Sequence, residues 1–121
     1  MSVEKVNDLG KVEIADEVIA TIAGAAALNC YGLVGMASRS QLKDGITELL
    51  GRENLTKGIE IRTEDGNVSL DMYIIVGYGT KISEVANNVQ ARVKYSLEKL
   101  TGLTVKEINI VVQGVRLINE D

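Results

Sequence analysis

The chain has no histidine, tryptophan, phenylalanine or proline, and a single cysteine. Without an imidazole, every catalytic design built on a histidine base is excluded, the Ser-His-Asp and Cys-His types among them. One thiolate and no imidazole cannot supply the ligands of a zinc site of the Cys/His type, and a lone Cys30 cannot close an internal disulfide. Aromatic residues make up 3%, all of them the four tyrosines, so surfaces on which bases could stack are scarce. Positive charge is short as well: 13 lysines and arginines face 17 acids, a formal net charge of −4. A polyanion would meet repulsion at long range. These absences predict no nucleic-acid partner, no catalytic residue, no metal site and no cofactor.

What is present fits one domain over residues 1–121, because 45% apolar and 25% charged residues are the balance of a globular chain. The charged start, from Met1 to Lys11, lacks the apolar core of a secretion signal, and a free cysteine suits a reducing compartment, so a cytoplasmic location is expected. From Val18 to Ser38 there are 21 residues without a charge, long enough on paper to span a bilayer. Alanine and glycine dominate that stretch, and strongly lipophilic side chains are few. It reads as a buried helix followed by a buried strand, with no direct membrane insertion.

Gly10 to Ile14 alternates as a strand, and Asp16 is placed to cap a helix carrying Val18, Ile19, Ile22, Ala23, Ala26 and Cys30 at helical spacing, ended by Gly32. Leu33 to Ala37 reads as a short strand. Between Ser38 and Lys57 the spacing of Leu42, Ile46, Leu49 and Leu50 predicts a short helix stopped at Gly51, and residues 51–58 read as a loop. Asp65-Gly66 is a two-residue hairpin turn. It pairs Thr63 with Val68, Ile61 with Leu70 and Ile59 with Met72 on an apolar face, and sets Arg62, Ser69, Glu60 and Asp71 on the other. Thr80 to Leu100 carries a second apolar stripe, from Ile82 through Val85, Val89, Val93 and Leu97 to Leu100, with Gly102 placed to end it. A last strand contains Ile108, Ile110 and Val112, and the changed parity of Val115 and Leu117 predicts a bulge at Gln113-Gly114. The expected fold is α+β: a two-layer sandwich with a mainly antiparallel or mixed sheet of about five strands, two long helices on one face and a short helical insert.

Two kinds of candidate site follow. Gly77-Tyr78-Gly79-Thr80-Lys81 joins a strand to a helix, where backbone N–H groups and Lys81 could meet an anion, although two glycines there are enough to serve turn geometry alone. Gly32-Leu33-Val34-Gly35 matches a bare Gly-x-x-Gly clamp, but its central residues are apolar. The carboxylate pairs Asp16-Glu17, Glu60 with Asp71, and Glu64-Asp65 sit at a helix end, on a solvated hairpin face and in a turn. The second kind is a pair of neutral faces. The first helix presents Ala20, Gly24, Ala27 and Leu28 where a surface helix would carry charge, and the hairpin presents Tyr73 and Ile75 on its far side. Each needs a cover, either the Ser38 to Lys57 segment or another molecule, so a protein partner or homo-oligomer is expected.

Several strings together resemble the alkaline shock protein family: Gly10-Lys11-Val12-Glu13-Ile14, Tyr31-Gly32-Leu33-Val34-Gly35-Met36, Tyr78 through Ala86, Thr101-Gly102-Leu103, and Ile108-Asn109-Ile110 leading to Gly114-Val115. Their order and spacing span nearly the whole chain. The resemblance implies an α+β domain of bacterial general or cell-envelope stress without an established enzymatic activity, scaffold-like, reaching the membrane through a partner. It carries over no catalytic residue. The chain lacks the charged extensions of long family members and looks like their short cytosolic relatives. A small adaptor acting on a metabolic enzyme, with an anion or small molecule at Gly77 to Lys81, is the alternative.

Overall fold

The structure, a computed structural model, describes residues 2–39 and 49–117, apart from the side chains at 52 and 53. A hairpin of β1 (Ser2–Asn7) and β2 (Gly10–Ala15) leads into α1 (Asp16–Leu28) and β3 (Leu33–Met36). A 3-10 segment (Arg52–Gly58) precedes β4 (Ile59–Glu64) and β5 (Asn67–Gly77), which are followed by α2 (Ile82–Thr101) and β6 (Thr104–Arg116). β5 is the centre of a four-stranded mixed sheet. Along one edge it pairs antiparallel with β4 over its first half and with β3 over its second, and β6 runs parallel to it along its whole length.

Among the described residues this sheet has four strands, and β1 and β2 form a separate two-stranded sheet. An isolated hairpin is marginal in water. This one is tied down at its base by buried Val3, partly buried Ile14 and a 2.8 Å hydrogen bond from Lys5 Nζ to the Gly102 carbonyl. Its far end stands clear, with Leu9 99% exposed.

The β4–β5 register is the one the Asp65-Gly66 turn dictates, with Asp65 at φ 52° and Gly66 at φ 80°. Val68, Leu70, Met72, Ile74 and Val76 line the face of β5 toward the helices and are fully buried, each contributing about 1.5–3 kcal/mol by leaving water. The bulge falls at Gln113, where the β5–β6 register slips between Ile74 and Ile75. A second slip, between Val68 and Ser69, skips Lys106.

α2 buries Val85, Val89, Val93 and Leu97 and stops at Gly102, which adopts φ 74°. Leu100 leaves the stripe and is exposed, and so is Ile82 at the other end of the helix. Ala15, not Asp16, is the N-cap of α1, and no side chain bonds that end. Asp16 sits one position inside, where its charge rather than a capping bond favours the helix. Leu42 and Ile46 lie outside the described residues. Leu49 is not helical: it forms a bridge with Ala37, and Leu50 N–H donates to the Met36 carbonyl at 2.9 Å. Residues 52–58 coil into the 3-10 segment, kinked at Asn54.

Candidate functional site

The neutral face of α1 is covered from within the chain. A Cβ placed on Gly24 would stand 3.3 Å from Leu55 Cβ and 3.6 Å from Ile59 Cδ1, so the 3-10 segment and β4 close directly over it. Ala20 and Ala27 are buried with it, and Leu28 is half-buried beside Leu49, Leu50 and Leu55. On the far side of the sheet Ile75 is fully buried and Tyr73 half-buried. The residues opposite Ile75 on both neighbouring strands are glycines, Gly35 and Gly114. Leu49 lies over Gly35 so closely that a Cβ there would be 2.8 Å from Leu49 Cδ1.

The Gly77 to Lys81 turn is a clasp. Gly77 N–H donates to the Gly32 carbonyl at 2.9 Å, Tyr78 N–H to the Arg116 carbonyl at 2.8 Å, and Thr80 N–H and Oγ1 both to the Gly77 carbonyl. The turn thereby ties the residue just before β3 and the end of β6 to the end of β5, and those donors are spent within the protein. Glu84 shares a small groove with Lys81, which sets a carboxylate beside the one cation of the turn. In Gly32–Gly35 only the first glycine is in a turn, at φ 89°, and Gly35 is inside β3.

The β4–β5–β6 outer face carries a polar ladder. Arg62 Nη1 donates to Asp71 Oδ2, Arg62 Nη2 to Glu107 Oε1 at 3.2 Å, and Asn109 Nδ2 to Asp71 Oδ1 at 2.8 Å. Burial pushes the Asp71 carboxyl up, but the Asn109 amide and the Arg62 hydrogen bond and charge prevail and hold it below the ordinary carboxylate value. Every member has a partner in this ladder.

A groove lies between the helices. Cys30 and Tyr31, at the end of α1, and Asn88, Arg92 and Tyr95, on α2, line a groove of about 770 Å³. Tyr31 is 88% and Tyr95 63% exposed. Lys99 Nζ lies 5.4 Å from the Tyr95 ring centre and donates to its hydroxyl at 3.2 Å, so a cation sits at that ring. The smaller groove at Lys81 adjoins it through Tyr31 and Asn88. Arg92 also approaches Cys30, a positive charge beside the thiol that linear distance in the sequence hides. Burial pushes the thiol up nonetheless, and the Arg92 charge and hydrogen bond only offset it. None of Tyr31, Arg92 or Tyr95 is a sequence-level candidate. Their available signal is scarcity, since three of four tyrosines, Tyr78 included, stand exposed in a chain with few other aromatics.

An α+β domain with two helices on a mixed sheet is the class that the alkaline shock motifs imply. Residues 4–117 match the model of the alkaline shock protein family, described as having a cell envelope-related function, and the chain belongs to that family. It is 55% identical to the uncharacterized protein YloU of Bacillus subtilis strain 168 over 98% of this chain and 99% of that one. It is 44% identical to the uncharacterized protein Spy1614 of Streptococcus pyogenes serotype M6 over 93% of both. A stress response regulator gls24 homolog of Streptococcus pyogenes serotype M3 is 26% identical over 88% of this chain and 59% of its own length. No solved structure matches the chain. Among the described residues, no helix is long and apolar enough to cross a membrane.

Proposed function

We propose that the protein is a non-enzymatic interaction component of the envelope stress response, which docks a segment of a protein partner in the groove between α1 and α2 and reaches the membrane through that partner. The observation that carries this reading is the grouping of Tyr31, Arg92 and Tyr95 on one exposed surface. Tyrosine and arginine dominate the energetics of protein interfaces, because each brings a large contact area with a polar tip. Arg92 lines the groove and Lys99 lies at the Tyr95 ring, while Lys81 in the adjoining groove is offset by Glu84, so an acidic segment is the better match for Arg92 and Lys99.

The test is affinity capture from native cytosolic and membrane fractions, followed by direct binding of the identified, purified partner. Arg92→Glu should weaken that binding by about tenfold or more with the melting temperature unchanged. Equal binding by wild type, Arg92→Glu and Tyr95→Ala would overturn the reading. The rival places a phosphorylated metabolite or nucleotide at Gly77 to Lys81. A saturable rise in melting temperature with such ligands, abolished by Lys81→Ala, would favour it.

A further inference from the structure

The β1–β2 hairpin is an arm with an apolar tip. Among the described residues its strands pair only with each other, and beyond the bond from Lys5 to Gly102 that holds its base, Val12 is 50%, Val6 76% and Leu9 99% exposed. Val6 stands opposite Lys11 and Val12 opposite Lys5, which puts the two valines on different faces of the arm. The tip is nevertheless a built turn. Asn7 Oδ1 accepts the Leu9 N–H at 2.9 Å, and Gly10 at φ 143° carries the chain back into β2, so the loop is fixed with Leu9 in solvent. Beside Leu9 is Asp8, which has no ion pair among the described residues. A two-stranded hairpin is marginal in water, and a leucine held at its far end adds nothing to its stability within its own chain.

We propose that this tip docks in the interhelical groove of a second copy of the chain, with Leu9 against the Tyr31 and Tyr95 rings and the Asp8 carboxylate on Arg92, and that the contact is repeated across a two-fold axis. Charge selects the occupant. Among the described residues Arg92 has no carboxylate partner and Asp8 no cation, and Lys99 at the Tyr95 ring adds to the attraction. The other hairpin tip, Glu64-Asp65-Gly66, carries acids but no large exposed apolar side chain to seat against the tyrosines. The arm does not fill the groove of its own copy: it springs from the start of α1 and the groove opens beyond the end of that helix, 13 residues or about 20 Å away. That separation suits a two-fold pair, in which each copy offers an arm at one end of α1 and a groove at the other and both contacts form at once. Thr21 and Ala25, exposed between them on α1, carry no charge to repel their counterparts. The docked arm plays the part of the acidic segment, and so rests on that reading of the groove, and it is also a competitor, because a copy whose groove holds an arm is closed to the partner.

Sedimentation equilibrium of the full chain should show a dimer, and Leu9→Ser, at a position outside the domain's own packing, should weaken it by about tenfold or more with the circular dichroism of the folded chain unchanged. Asp8→Arg and Arg92→Asp should each weaken it as well, and the two together should recover part of the loss, a rescue that only paired charges produce. Should Arg92→Asp fail to fold, oxidative cross-linking decides the question: in a Cys30→Ser background, Leu9→Cys on one copy and Tyr95→Cys on another should join in a mixed dimer, and neither variant should cross-link by itself. A wild-type monomer at millimolar concentration would overturn the inference and leave partner docking standing. So would a dimer untouched by Leu9→Ser, or Leu9→Cys joined to itself in place of Tyr95→Cys, which would set arm against arm. Self-association and partner binding both unchanged by Arg92→Asp would overturn this inference and the reading of the groove together.

Discussion

α1 and α2 lie on the same sheet and are made on opposite plans. α2 is a surface helix: four buried residues, Val85, Val89, Val93 and Leu97, fall on one stripe, and most of its other positions are polar or charged. α1 is buried on two sides. Ile19, Ala23 and Ala26 belong to the core, while Ala20, Gly24 and Ala27 pass under the 3-10 segment and β4. The difference teaches that a helix uncharged from its third residue onward, as α1 is from Val18, need not be waiting for a membrane or a partner. Small side chains let a helix be packed from both sides, because neighbouring backbone and side chains can approach it closely.

The largest test of that contrast is Ala27→Glu. Ala27 is fully buried, so a carboxylate there is left without water or partner, and stability should fall by about 4 kcal/mol or more, enough to unfold a marginal domain. Thermal and urea unfolding followed by circular dichroism measures it, and a normally stable Ala27→Glu protein would break the comparison. Gly32→Ala comes next. Gly32 is at φ 89° and a Cβ there would stand 2.6 Å from Val85 Cγ2, where the end of α1 meets α2. The left-handed backbone alone costs an alanine about 1–2 kcal/mol, and the collision with Val85 adds to that. Leu55→Ala removes the cover from Gly24, and because Leu55 is half-buried the loss should be near the low end for such a change, about 2 kcal/mol by urea unfolding. Asn88→Glu, on the exposed side of α2, should move stability by no more than about 0.5 kcal/mol. A large loss at Asn88 would mean that α2 too is covered.

What could be read without coordinates was what short-range chemistry encodes. A two-residue Asp-Gly turn specifies a register, so every β4–β5 pair was available from sequence, and a change of parity exposes a bulge such as Gln113. The arrest of α2 at Gly102 is a property of one residue's backbone. Other features depend on partners far away in the chain. Ser2–Asn7 carries charge on an otherwise weak alternation and becomes a strand only because Gly10–Ala15 folds back on it. The parallel pairing of β5 with β6 has no turn to announce it. The approach of Arg92 to Cys30 and the grouping of Tyr31 with Tyr95 depend on how α1 lies against α2, so the groove was invisible while the turn at Gly77 to Lys81, a contiguous string, stood out.

The position of β5 also sets an order of events. Its partner β4 is reached through two residues, but Thr104, which stands opposite Asn67, follows it by 37 positions. Closing that loop costs entropy that local pairing does not, and a strand joined in parallel through a helix is slow to dock. On the ribosome β6 is also made after everything it binds. Between the emergence of β5 and the arrival of Thr104–Arg116, one full edge of the strand that carries Val68 to Val76 has no partner, and a passing chain with a free edge could take the place of β6. Substitutions in β6 should therefore speed unfolding and leave the folding rate nearly untouched, the kinetic signature of the element that arrives last.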